Sequence, residues 1–416
     1  MRVWLFKDGE TLPVEEQARR MRMGMLAECL RLRGHDVHWF SSTFLHMTKQ
    51  LYATSDVREA VASGLTLHLL YAGGFTRNLS VQRYLFYRRY SARLSAYCAG
   101  LTPPDVIVCA FPLIEVADWV TRWGRERGIP VVVDVRDAWP DTIVDVFPPS
   151  VRPAARLALS HDFRRTRRAF QRATMLSAMS AGVLGWALKH AGRARRDSDR
   201  IYPIGYPVDT VPPASLDSPR LAPWLRTLIA EGCRLCTYVG TFGHTYDLMA
   251  LVDAARILRS RDPEVHVILA GKGPRLEEVR RHAQGLTNVT VSGWLDSSEV
   301  RALLGVSSVG LLPWAGLPDA MPNKFFEYIA AGVPVIASAS GELNTLIAQR
   351  DIGLALTQTA PEAWASAMTA VSHGPNLAGQ AARARAVFEQ SFSETRIYDH
   401  FAADVEALAA GRIEAA

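Results

Sequence analysis

Lysine is nearly missing from this chain. Of 416 residues only five are lysine (Lys7, Lys49, Lys189, Lys272 and Lys324), against forty-two arginines. Where any cation serves, the chain uses arginine, so a position that keeps lysine asks for a compact ammonium rather than a planar guanidinium fork. Cysteine is scarce as well: five, an odd and scattered set, argue against a disulfide framework and fit a reducing cytoplasm. Cys233 and Cys236 form a CxxC with no second pair, and Cys236 opens the apolar run Leu235–Val239, so strand thiols are expected there rather than a metal site. No apolar run approaches the roughly 20 residues that span a bilayer. The opening Met1–Asp8 reads as a strand entering a loop, without a signal peptide.

What is present is a long alternation of short apolar strands and amphipathic helices. At 416 residues the chain exceeds one ordinary core, and about two domains are expected. Strands are predicted near 2–6, 36–41, 65–70, 105–110 and 130–135, with helices near 15–33, 151–172 and 181–191. The pattern restarts with strands at 235–240, 265–271 and 288–292 and helices at 246–260 and 274–285. Such alternation means parallel sheets covered on both faces. The expected architecture is therefore α/β: two doubly wound, Rossmann-like domains facing a cleft, residues 1–203 and 204–393. A last helix from 394 to about 411, within a 394–416 tail, packs back on the first domain. Ligands of such sheets bind at the carboxyl ends of strands.

The net charge of +6 conceals an asymmetry. Residues 1–200 hold thirty basic and nineteen acidic side chains, +11, and the remainder carries −5. Two clusters mix arginine with aromatics, Arg83-Tyr84-Leu85-Phe86-Tyr87-Arg88-Arg89-Tyr90 and Phe163-Arg164-Arg165-Thr166-Arg167-Arg168-Ala169-Phe170. This combination suits an anionic membrane surface and equally a plain solvated face. No helix-turn-helix, zinc knuckle or RNA-binding signature accompanies it, so no nucleic-acid partner is expected.

Two of the five lysines sit at Gly- or Pro-bounded strand-to-helix junctions. Met321-Pro322-Asn323-Lys324-Phe325-Phe326-Glu327-Tyr328 opens a helix directly after a proline, with Gly332 closing it. A helix N-terminus that presents Lys324 seats a diphosphate, because free N–H groups and the dipole both favour negative charge. Glu327, one turn on, suits two neighbouring sugar hydroxyls such as those of ribose. The same spacing also describes a surface ion pair. Gly240-Thr241-Phe242-Gly243 and Gly271-Lys272-Gly273-Pro274 follow strands and bring backbone close to a ligand. They are neither a GxGxxG nor a P-loop. After Val289–Ser292 comes Gly293-Trp294, where a base can lie.

In this order the elements resemble the donor half of a GT-B glycosyltransferase of the GT4 type. The first half agrees: Gly34-His35-Asp36-Val37 is similar to the family's helix-to-strand turn. Asp134-Val135-Arg136-Asp137-Ala138-Trp139-Pro140 is similar to the RDxWP of a branch that builds bacterial surface polysaccharides. The resemblance implies retaining transfer of a sugar from a nucleotide diphosphate sugar, a UDP-sugar first, as a co-substrate, with no cofactor and no metal bound by the protein. It places Lys324, Gly240 and Thr241 on the diphosphate with Lys272 nearby, Glu327 on the ribose and Trp294 near the base. Phe242, Gly243, Gly271, Met321, Pro322 and Asn323 line the donor. Glu327 matches the second carboxylate of the family's E-x7-E motif, and the first falls at Asp319. Where many members carry an Arg and a Lys after the glycine turn, this chain has Thr241-Phe242 and the His244–Asp247 stretch.

The resemblance puts the acceptor in the first domain. There Arg136 and Asp137 follow a strand end. They read either as a catalytic pair, Asp137 orienting or deprotonating the acceptor hydroxyl, or as an ion pair fixing the loop. Gly9, Glu10, Arg19 and Arg20 line the acceptor side. A glycan or a lipid-linked, anionic acceptor is expected, at the cytoplasmic face of a membrane. A GT-B nucleotide-sugar epimerase and a non-catalytic polysaccharide-assembly partner remain as alternatives.

Overall fold

Runs such as Val131-Val132-Val133 and Val106-Ile107-Val108 have no polar face to offer water, so they form strands covered on both sides. In the computed structural model described here, covering residues 1–15, 20–77, 80–206, 216–315, 321–338 and 341–412, every residue of both strands is buried. The chain divides into two units, Met1–Gly205 with Thr395–Ala416, and Tyr206–Glu394.

The first unit holds β1 (Arg2–Phe6), β2 (Asp36–Ser42), β3 (Val57–Ala62), β4 (Leu65–Leu70), β5 (Val106–Phe111), β6 (Val131–Val135), β7 (Met175–Ala178) and β8 (Arg200–Ile201). They form one sheet in the order β8-β7-β6-β5-β1-β2-β4-β3. Neighbours run parallel except β3, which turns at Gly64 and pairs antiparallel with β4 as an edge strand that the periodicity did not reveal. Helices α1 (Arg22–Leu32), α2 (Val81–Ala99), α3 (Ile114–Arg127), α4 (Asp141–Asp145), α5 (Arg152–Ala158) and α6 (Ser160–Arg172) cover it. Ser80 caps α2 by accepting the Arg83 N–H, and Gly128 ends α3 in the left-handed conformation. The long helix expected over 151–172 is two helices broken at Leu159, whose φ and ψ of −89° and 8° leave the helical path. One core holds Trp4, Phe6, Phe40, Phe86, Tyr90 and Phe111. The other packs Leu5, Met23, Leu26 and Trp39 against Tyr398, Phe401 and Val405 of the C-terminal helix, Glu394–Ala409.

The second unit holds β9 (Arg234–Val239), β10 (Val265–Ala270), β11 (Val289–Gly293), β12 (Val309–Leu312), β13 (Val335–Ala337) and β14 (Gly353–Ala355), all parallel, in the order β11-β10-β9-β12-β13-β14. Helix α7 (Leu248–Arg261) starts where the Asp247 side chain accepts the Ala250 N–H, and α8 (Asn323–Ala330) starts after Pro322. In each sheet the first strand lies in the interior and later strands are added on either side of it. That creates a switch point between β1 and β5 in one unit and between β9 and β12 in the other, where doubly wound sheets place ligands.

Candidate active site

In the second unit the loop after β9 and the loop after β10 are nested. Gly240 donates its N–H to Ala270 O at 2.8 Å, Phe242 donates to Lys272 O at 2.9 Å, and Gly271 donates to Gly293 O at 2.7 Å. The packing leaves no room for side chains. A Cβ on Gly271 would stand 1.8 Å from Gly240 O, and one on Gly273 would stand 2.5 Å from Phe242 O. All three glycines also have positive φ, between 142° and 157°.

Lys324 crosses this assembly. It is the second residue of α8, where the Phe325 N–H donates to Pro322 O at 3.0 Å while the Asn323 and Lys324 amides have no partner among the described residues and no side-chain cap. Its side chain passes over Gly240 so closely that a Cβ there would lie 2.0 Å from Lys324 Cε. The ammonium ends 3.7 Å from the centre of the Tyr246 ring and 5.2 Å from that of Tyr238. Among the described residues its Nζ has no hydrogen-bond or salt-bridge partner. Burial pushes the Lys324 ammonium down to about 8, with Glu327 pulling the other way. Among the described residues this buried cation is held by rings rather than by a bonded carboxylate. Glu327 Oε1 accepts a hydrogen bond from the Tyr206 hydroxyl at 2.7 Å, which fixes the carboxylate.

The other expected donor residues divide. Thr241 and Asn323 are exposed, Gly243 and Met321 are half-buried, and Pro322 is a buried N-cap. Trp294 is 54% exposed, and Lys272 Nζ stands 4.3 Å from its ring centre, so this lysine meets an aromatic face rather than extending toward a phosphate. Phe242 is corrected from a ligand contact to scaffold. Its ring is fully buried against Tyr238, and its N–H and C=O are taken by Lys272 O and Arg275 N–H. Asp319 lies outside the described residues, as does Arg19 in the first unit.

In the first unit the Arg136–Asp137 pair is not an ion pair. Arg136 bonds Asp134 Oδ2 through Nε at 2.9 Å and Glu10 Oε1 through its Nη1. Asp134 also receives both Nε and Nη2 of Arg22 at 2.8 Å and the Ser177 hydroxyl. Burial alone would raise the Asp134 carboxyl; Arg22 and Arg136, with those hydrogen bonds, hold it well below the usual carboxylate range. Glu10 is buried, and its second oxygen accepts the Met23 N–H at 2.9 Å near the start of α1. Arg136 and Glu10 are therefore saturated by protein partners, which makes them positioning residues for the loop after β1. Gly9, at φ 78°, supplies that loop's turn, and Arg20 is an exposed partner of Glu28 at 3.6 Å. Asp137 stands apart: it accepts from Thr142 Oγ1 at 3.3 Å, and burial raises its carboxyl above the ordinary aspartate value.

The second basic cluster is also less available than its sequence implied. Arg165, Arg168 and Arg172 of α6 pair with Glu115 and Asp118 of α3. Among the described residues no helix is long and apolar enough to cross a membrane. Tyr206, Tyr238 and Tyr246 were not anticipated. The only sign of Tyr206 was the Pro203–Pro207 junction, and ring contacts with a distant lysine leave no trace in spacing.

The chain is similar to known proteins in sequence and fold. Residues 20–206 match the family model described as glycosyl transferase 4-like domain, and residues 233–373 that of glycosyl transferases group 1. A GDP-mannose-dependent alpha-(1-6)-phosphatidylinositol dimannoside mannosyltransferase of Mycobacterium tuberculosis is 26% identical over 280 residues, 66% of this chain and 68% of the relative. Among solved structures, sucrose-phosphate synthase of Thermosynechococcus elongatus superposes with a TM-score of 0.70 at 18% identity, covering 99% of both chains. Anabaena HepE in complex with UDP gives 0.68 at 13% identity, over 98% of this chain and 100% of that one. Two glycosyltransferase domain families, matched in chain order onto two doubly wound sheets, make this chain a GT-B glycosyltransferase of the GT4 type.

Proposed function

We propose that the chain transfers a sugar, with retention, from a nucleoside diphosphate sugar held by the second unit to a glycan or lipid-linked acceptor held by the first. The observation that carries the donor assignment is the Lys324 ammonium. It is buried, with no salt-bridge partner among the described residues, at the start of α8 beside three glycines that exclude side chains. Cleaving a glycosyl–phosphate bond builds oxocarbenium character on the sugar and negative charge on the departing diphosphate. One preorganised cation and a helix N-terminus stabilise that charge without reorganising at the moment of reaction. Lys324 holds the diphosphate oxygens, Glu327 takes the ribose hydroxyls with Tyr206 fixing its rotamer, and Trp294 offers a flat surface to the base. Asp137, raised by burial, orients the acceptor hydroxyl and takes its proton.

The donor is a UDP-sugar on the sequence reading, while the mycobacterial relative is named for GDP-mannose. A thermal-shift panel of UDP, GDP, dTDP and ADP on wild type and Lys324→Ala separates the two. A nucleotide at 100 times its Kd stabilises by about 2.7 kcal/mol. One nucleotide is expected to shift wild type and not the variant. No shift with any nucleotide overturns the donor assignment. A role in surface-polysaccharide synthesis at an anionic membrane rests on the motif resemblance and on the arginine-rich first unit.

A further inference from the structure

Beside the Asp137 loop the first unit contains a second feature with no part in sugar chemistry. A cavity of about 410 Å³ opens at the carboxyl ends of β5 and β6, next to the switch point of the sheet. Its wall is mostly apolar: Tyr87, Ile114, Trp139, Ile143, Phe147 and Leu159. Two carboxyls border it, Glu115 and Asp162, and burial raises both although Arg165 opposes it. Asp162 Oδ1 is buried without a hydrogen-bond partner. Nothing in a nucleotide sugar or a free sugar phosphate matches such a lining.

The apolar character continues out of the cavity. Of the fifteen exposed large hydrophobic residues among those described, seven belong to α2 and the 141–158 segment: Val81, Tyr84, Leu85, Val146, Phe147, Val151 and Leu157. Val81 and Leu157 are each 75% exposed, and Val81, Tyr84 and Phe147 also line the cavity. Exposed arginines alternate with them, Arg88, Arg89 and Arg156 among them. The Arg83 guanidinium stacks 4.6 Å from the Trp139 ring in the cavity wall. A mostly apolar pocket, an apolar rim and cations around the mouth match a molecule with a hydrocarbon chain and an anionic head.

We infer that this cavity holds the hydrocarbon chain of a phosphate-bearing lipid acceptor, whose head lies toward the Asp137 loop. This rests on the transferase reading above and gives its acceptor a chemical class. The apolar rim enters the bilayer from which the lipid is drawn, so the acceptor chain moves from lipid to protein without crossing water.

The test titrates the full chain with dodecyl phosphate, below its micelle concentration, and with propyl phosphate, by calorimetry. Dodecyl phosphate is expected to bind at least about tenfold more tightly, since each buried methylene adds to affinity. Ile143→Trp, which fills the cavity, is expected to abolish that margin. Phe147→Glu, at the 41% exposed rim, is expected to reduce it several-fold. UDP and GDP binding, followed in the same samples, is expected to stay at the wild-type level, so loss of the donor reading would be seen separately. Equal affinity for the two phosphates means that the arginines bind an anion alone, and overturns the assignment. So does a margin that survives both substitutions, or binding to phosphatidylglycerol vesicles with no dependence on chain length.

Discussion

In the first unit Arg136 is buried between Asp134 and Glu10, and Arg22 adds two more bonds to the same carboxylate. In the second unit Lys324 is buried against two tyrosine rings, with no carboxylate among the described residues bonded to its ammonium. Both cations follow strand ends of doubly wound sheets, and both lie in motifs that mark the family resemblance. Their energetics are opposite. The first network closes its own charges and leaves nothing for a ligand, so it holds the loops after β1 and β6 in register. The second leaves a desolvated charge incomplete, which on the proposed reading an anion completes. The saturation of a buried charge, more than its presence in a motif, separates framework from binding site.

Removing the shared carboxylate tests the framework half most severely. Asp134→Ala leaves Arg22 buried without a carboxylate and Arg136 with Glu10 alone, and is expected to destabilise by about 3–5 kcal/mol, measured by urea unfolding. A cost under about 1 kcal/mol would mean that the network is solvated and the contrast is false. Next in size is Lys324→Ala, expected to lower kcat by about 10²–10³ while the protein stays folded. Activity within about threefold of wild type would remove Lys324 from the chemistry.

The same lysine gives a stability change of opposite sign. Its folded value of about 8 lies below the ordinary 10.5. Between these values the unfolded chain binds more protons than the folded one, so stability rises as pH climbs from about 8 to 10.5 and is lowest, and flat, below 8. Lys324→Met is therefore expected to stabilise the protein at pH 7, by about 1–3 kcal/mol, and to flatten that rise in thermal melts. A destabilised Lys324→Met would show that the ammonium is already balanced. In wild type, kcat/KM is expected to fall above pH 8 as the ammonium deprotonates. Smallest is Tyr206→Phe, which frees Glu327 Oε1. It is expected to weaken nucleotide-sugar binding by about 1 kcal/mol, roughly fivefold in KM, with kcat nearly kept.

Much of this was legible in the sequence because it is local. Strand periods placed β1, β2, β4, β5 and β6, and β9, β10 and β11 of the second unit, to within a residue or two. Lysine scarcity singled out the start of α8. What was not legible depends on long-range partners. Arg136 looked paired to its neighbour Asp137, but its partner Glu10 lies 126 residues away and is chosen by the sheet order β6-β5-β1. Phe242 was a ligand contact by the family resemblance; the nesting of two loops, which no spacing reports, turns it inward. The break at Leu159 interrupts a pattern that stays amphipathic across it. The cavity wall draws on residues from 80 to 162, joined only by folding.

The interlocked glycines have a consequence for anyone who would change which sugar the enzyme uses. In a saturation library, Gly240, Gly271 and Gly273 would come back as empty columns, since a single added carbon strikes a main-chain atom of the other loop or the stem of Lys324. The two loops are inherited as one part. New donor preferences would have to be selected at Thr241, Asn323 and the surface around Trp294, where side chains already face outward.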